Sequence, residues 1–358
     1  PHVPSSGGED NTMSATPRER VIAQIRHQET DPVPYTLGYE EVVGERLDAY
    51  YGSDAWRMAL DSAIRGVPSP QLVVDESVVP CYTDLYGTTW RTDRRPFHLE
   101  TPALREPTLA GYTLPDLDAV FTPEWKSEAL RRIEELQGRF LVAGFGFGLF
   151  ERTWTLRGFN EAFMDAAADP GFYDELVERI AGHQLEIVER LLELPVDGIM
   201  FSDDWGYQQG VLLGAGRWRR FIKPRLARLY ERVHRAGKYT LSHCCGSVAE
   251  ILPDIIEIGL DVLESVQPEA RGMNPYELKR RYGAHITFWG GLGSQSTIPF
   301  GTPAEIHAEV ARLCREMGRG GGYILAPAKG LQPETPTENA AAVVEAFLEQ
   351  AGATVPGR

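Results

Sequence analysis

The chain has 358 residues, 42% hydrophobic and 24% charged, enough for one large domain or two ordinary ones. Its formal net charge of -15 argues against a nucleic-acid partner, because phosphate binding needs a basic face. Four cysteines (Cys81, Cys244, Cys245 and Cys314) do not make a disulfide scaffold, and no apolar run approaches the roughly 20 residues of a membrane span, so the chain reads as a cytoplasmic protein with reduced thiols and no membrane partner.

Residues 1–15, beginning PHVPSSGGEDNT, are polar and read as a flexible tail. Met13 reads as a natural start, with the preceding stretch an expression remnant. Residues 16–354 read as a single domain. Thr16-Pro17-Arg18-Glu19 predicts a capped helix with proline in its first turn, an N-terminal helical extension. The first strand is PVPYTLG (32–38). The segment from about 70 to 115 is rich in Pro, Tyr, Trp and Thr and predicts an inserted hairpin. Six more β-rich apolar runs follow, each ending in polar or glycine residues: RFLVAGFG (139–146), DGIMFSDD (197–204), KYTLSHCC (238–245), DVLESVQ (261–267), HITFWGG (285–291) and YILAPAK (323–329). Helical stretches lie between them. Ser247–Glu250, Thr302–Glu305 and Thr335–Glu338 repeat the capping-box pattern, and Gly237 and Gly259 end helices before new strands.

Alternating strands and helices predict an α/β protein. GFGFG (144–148) lacks dinucleotide-binding spacing, which favours a closed (β/α)8 TIM barrel over an open doubly wound sheet. Seven strands are placed and the eighth is not. A barrel carries its functional residues at the C-terminal ends of its strands. Those ends hold Phe145 and Phe147, Asp203 and Asp204, His243 and Cys245, Glu264 and Gln267, Trp289, and Lys329.

Strand alternation sends His243 and Cys245 to one face and Cys244 to the other. His-x-Cys can offer a nitrogen and a thiolate to zinc, but two ligands are fewer than zinc usually takes; the alternative is a barrel-mouth histidine beside small packing cysteines. Adjacent carboxylates at Asp203 and Asp204 suit metal binding, a basic substrate or acid–base work. Alternation gives the pocket one of them and leaves open which; in the bland reading Asp204 caps the following turn. Lys329 could pair with a substrate carboxylate, act as a nucleophile, or extend into solvent. Glu264 and Gln267 face either the interior or the rim. Phe145, Phe147, Trp205 and Trp289 line a substrate pocket or simply pack.

The stretches FSDDWGYQQG, KYTLSHCCGSVAEILPDIIEIGLDVLESVQPEA, HITFWGGLGSQSTIPFGTPAEI and GGGYILAPAKGLQPETPTEN resemble the uroporphyrinogen decarboxylase superfamily, whose fold is a (β/α)8 barrel. One branch decarboxylates uroporphyrinogen without a cofactor and holds its carboxylates with an arginine-rich loop after the first strand. Here PVPYTLGYEE carries no arginine there. The methyl-corrinoid methyltransferase branch carries His-x-Cys-Gly, matched by His243, Cys245 and Gly246, and a distal cysteine that completes a zinc site. That distal position falls at or beside Lys329, and an ammonium is not a zinc ligand. The resemblance implies a methyltransferase moving a methyl group between a corrinoid protein and a small acceptor, with His243 and Cys245 on zinc; in place of the distal cysteine, an acidic residue (Asp203, Asp204 or Glu264) is the alternative third ligand. A cofactor-free decarboxylase or lyase of a small carboxylic acid, using Asp203 or Asp204, His243 and Lys329, is the alternative. A non-catalytic barrel that binds a ligand or a corrinoid partner is the third. The resemblance also implies a homodimer.

Overall fold

The computed structural model describes residues 15–70, 81–93 and 98–357. The 1–14 part of the predicted tail lies outside them. In chain order the strands are β1 (Ile64–Gly66), β2 (Cys81–Thr83), β3 (Thr89–Arg91), β4 (His98–Thr101), β5 (Phe140–Phe147), β6 (Gly198–Ser202), β7 (Gly206–Tyr207), β8 (Gly210–Val211), β9 (Tyr239–His243), β10 (Val262–Val266), β11 (Thr287–Leu292) and β12 (Tyr323–Pro327).

Seven strands pair in the order β1-β5-β6-β9-β10-β11-β12, all parallel. The 32–38 segment closes the ring. Tyr35 bridges Leu325 in parallel, the Thr36 N–H donates to the Leu325 carbonyl at 2.9 Å, and the Ala63 N–H donates to the Tyr35 carbonyl at 2.8 Å. Pro32 and Pro34 have no N–H to give, so this stave is a bridge rather than a ladder. The strand missing from the sequence reading is therefore β1. With eight staves and intervening helices the fold is a (β/α)8 barrel.

Inside the barrel, Ile64, Phe140, Val142, Leu241, Val262 and Ile324 form a core of their own with Val21 and Ile25. The latter two come from the helix Pro17–Ile25, whose buried Val21, Gln24 and Ile25 fall at helical spacing. That helix stoppers the end where the strands begin. The Arg18 N–H donates to Gly138 O at 2.9 Å, and the Gly322 N–H donates to Gln24 O at 2.8 Å. Register sets the layers above. Met200, Leu241, Val262 and Thr287 are partners across β6, β9, β10 and β11, and two residues further on come Ser202, His243, Glu264 and Trp289. The layer that floors the mouth thus brings Ser202, His243 and Glu264 together beside Trp289.

The predicted hairpin is a three-stranded antiparallel sheet, β2-β3-β4. The boxes at Thr16–Glu19 and Thr302–Glu305 form as expected. The other two do not. Helix Thr337–Gln350 starts after Pro336 without a side-chain cap. Helix Leu252–Glu257 begins well past Ser247, whose hydroxyl donates to Arg271 O at 2.5 Å and whose N–H donates to Tyr207 O at 2.9 Å. Ser247 is committed to loop contacts before a helix can form.

Candidate metal centre

His243 ends β9, and Cys245 stands two residues on. Cys245 Sγ lies 3.2 Å from His243 Nε2. Asp204, following β6, brings Oδ1 to 3.6 Å from the same nitrogen and accepts the Cys245 backbone N–H at 2.8 Å. One ligand atom each from Asp204, His243 and Cys245 lie within 4.8 Å of one another, and all three side chains are half-buried. Cys244 is fully buried on the other side of the chain, and burial pushes its thiol up, so its sulfur is an inert packing group. Gly246 follows Cys245 with φ +76°, and a Cβ there would lie 2.7 Å from the Tyr207 nitrogen. Only glycine lets the chain turn so tightly against its neighbour.

The two aspartates have separate work. Asp203 is 1% exposed. Its Oδ2 accepts the Phe150 N–H at 3.0 Å and Trp205 Nε1–H at 2.7 Å, and its Oδ1 accepts the Glu151 N–H at 2.8 Å. It caps the start of the helix Leu149–Arg157 from just past the end of the neighbouring strand β6, a place where anionic groups are stabilised. Gly148 makes the approach feasible, since a Cβ there would sit 2.5 Å from the Asp203 Cβ. The bland expectation that Asp204 is the capping member is corrected: Asp203 caps and Asp204 faces His243 and Cys245.

Glu264, on β10 in register with His243, accepts from Nδ1 of that imidazole in a short hydrogen bond. This fixes the tautomer with Nδ1 protonated and leaves Nε2 turned to Cys245 and Asp204. Burial pulls the His243 pKa down, but the Cys245 sulfur and the Glu264 carboxylate outweigh it and push it up to about 11. Gln267 Oε1 accepts the Gly246 N–H at 3.0 Å and steadies the turn. Glu151 completes the cluster. Burial, then the charges of Asp203 and Asp204, hold its carboxyl well above the usual range. Sequence reasoning missed it. It lies in the first turn of the helix Leu149–Arg157, and its one signal in the sequence was its place shortly after a strand end.

The remaining candidates lie apart from this trio. Phe145 is 5% exposed and packs edge-on to Phe201, and Trp205 is 1% exposed against Trp218. Phe147 stacks on Trp90 at 5.8 Å. Trp289 donates to Thr36 Oγ1 at 2.8 Å across the closing seam. Lys329 is exposed beyond β12, its backbone N–H bonded to Ser294 Oγ at 2.7 Å.

The donor set fits a divalent, borderline-soft ion. Imidazole, thiolate and carboxylate are zinc's ligands, three protein donors leave a position open, and the Glu264–His243 pair is the outer-shell support that metal-bound histidines use. Fold and site together define a (β/α)8 barrel with an Asp/His/Cys cluster at its mouth. Residues 97–350 match the family model described as Uroporphyrinogen decarboxylase (URO-D), and the chain belongs to this family. It is 28% identical over 247 residues to the uroporphyrinogen decarboxylase of Anaeromyxobacter sp. (strain Fw109-5), covering 65% of this chain and 68% of that protein. A uroporphyrinogen decarboxylase of Thermus thermophilus is 27% identical over 190 residues, 51% of this chain and 50% of the relative. The methylcobamide:CoM methyltransferase MtaA of Methanosarcina barkeri is 33% identical over 138 residues, covering 38% of this chain and 37% of that one. Among solved structures, a methyltransferase from Methanosarcina mazei superposes with a TM-score of 0.69 at 21% identity, covering 94% of this chain and 99% of that chain, a likeness of fold. No helix among the described residues is long and apolar enough to cross a membrane.

Proposed function

We propose that the protein is a zinc-dependent methyltransferase that moves a methyl group between a corrinoid protein and a small acceptor. The observation that carries this reading is the convergence of Asp204, His243 and Cys245 at the barrel mouth. The match to a methylcobamide:CoM methyltransferase supports it. Zinc, when bound, supplies Lewis acidity that makes an acceptor thiol a thiolate at neutral pH.

The chain's own residues arrange this. Glu264 holds the Nδ1 proton of His243 and keeps Nε2 available as a ligand. The Nε2 proton is what His243 gives up on serving as one. Asp204 fixes the Cys245 backbone while offering its own oxygen to the site. Asp203 and the helix it caps hold Glu151 over the cluster. In the metal-free site, burial and then the charges of Asp203 and Asp204 hold the Glu151 carboxyl above its usual range, and this reading assigns it the proton exchange with the acceptor.

The test uses methylcobalamin as donor and a small thiol as acceptor, followed by loss of the methyl–cobalt absorbance. Transfer is expected from the purified protein, to disappear after treatment with a chelator and to return on adding zinc. Chelator-resistant transfer would sink the zinc reading.

A second reading, a cofactor-free lyase of a small carboxylic acid, draws on the uroporphyrinogen decarboxylase relatives and on Lys329 standing exposed at a strand end of the mouth. In that case Lys329→Met lowers turnover by at least about a hundredfold, the scale of losing one charge-stabilising donor in a transition state. The methyl-transfer reading expects K329M to keep its zinc and most of its transfer rate.

A further inference from the structure

Behind Phe147, at the end of β5, lies a buried polar cluster that the metal centre does not use. Arg152 is 4% exposed, and its guanidinium carbon stands 3.7 Å from the centroid of the Tyr86 ring and 5.3 Å from that of Phe147. Its one hydrogen bond among the described residues is a long contact from Nη1 to Thr155 Oγ1 at 3.4 Å, and Nε has no acceptor. Among the described residues no carboxylate forms an ion pair with it. Asp84, in the same wall, gives its oxygens to the Thr88 N–H at 3.0 Å and to Trp90 Nε1–H at 2.9 Å. Arg157, at the end of the same helix and equally buried, is by contrast fully occupied, with Asp165 Oδ2 and Leu104 O each at 2.7 Å.

Two more buried side chains share the neighbourhood. His183 meets the Tyr86 ring edge-on at 5.8 Å, and its Nε2 has no partner. Burial and the charge of Arg152 push its pKa down to about 4, so the ring is neutral. Gln184 spends its amide nitrogen on the Phe147 carbonyl at 3.1 Å and leaves Oε1 unpartnered.

A buried cation without a counter-ion is costly, and buried polar atoms without partners are uncommon, so three such residues around two rings call for a ligand. The free Nε edge of a planar guanidinium matches the two oxygens of a carboxylate better than it matches a sphere. We propose that Arg152, with His183 beside it, anchors the carboxylate of a small acid. This goes beyond the methyl-transfer reading by giving the substrate an acid group, and rests on that reading only for the substrate's role. It does not depend on a metal.

The experiment titrates the full-length protein with sodium acetate at constant ionic strength, following melting temperature and tryptophan fluorescence. Trp90 and Trp154 both pack on Phe147 at 5.8 Å and report on the site. A saturable rise in melting temperature with a fluorescence change is expected in the wild type. It is expected to vanish in Arg152→Met and to weaken at least tenfold in Arg152→Lys, which keeps the charge but loses the fork. Should Arg152→Met fail to fold, Arg152→Lys decides. No saturable acetate response, an equal response to chloride, or an unchanged response in R152K would overturn the proposal. Each of these outcomes leaves the zinc test standing on its own.

Discussion

Cys245→Ser is expected to lower zinc affinity by more than about a hundredfold and to abolish methyl transfer while leaving the fold intact. The alcohol of serine stays protonated where the thiol of cysteine ionises, so the substitution removes the soft ligand and keeps the shape. Cys245 is half-buried, and its sulfur contacts the His243 imidazole rather than the core, so little packing is lost. The comparison variant is Glu264→Gln. It leaves all three ligands in place and weakens the outer-shell hold on His243, so affinity should fall only about 10- to 100-fold. Zinc titration against a competing chelator ranks the two. Equal affinities for C245S and the wild type would remove Cys245 from the centre.

Asp203→Ala is expected to destabilise the protein by about 3–5 kcal/mol, among the larger effects a single change can have. The carboxylate is 1% exposed and accepts from Phe150, Glu151 and Trp205. Its removal orphans two buried donors, each at a cost of about 1–3 kcal/mol, and a third that is part-buried, and leaves the helix Leu149–Arg157 without its cap. Asp203→Asn keeps one oxygen and should lose less. Denaturant unfolding measures both. A loss below about 1 kcal/mol in D203A would show that Asp203 is not the strut described here.

The sequence carried the barrel because its central strands are long apolar runs between marked helices. β1 escaped because it is three residues, Ile64-Arg65-Gly66, too short to show a period. The first stave showed in the sequence as a strand, yet its prolines reduce it to a bridge. Period-two alternation separated His243 and Cys245 from Cys244, since that rule is local geometry. It left Asp203 and Asp204 unassigned, because the sequence alone does not show where β6 ends and so which of the two shares the face of Ser202. Nor could it find the third member of the candidate ligand group. Asp204 meets Cys245 across 41 residues of chain, a separation that only the closed barrel resolves. Glu151 and Arg152 stayed silent for the same reason: what sets them apart is their burial and their neighbours, not a motif.

The central claim is that Asp204, His243 and Cys245 form a zinc centre, and elemental analysis of protein purified without chelator tests it most directly. One zinc per chain in the wild type, lost in His243→Ala and Cys245→Ser and retained in Lys329→Met, is the predicted result. A wild-type protein that neither carries zinc nor takes it up on dialysis would contradict the account.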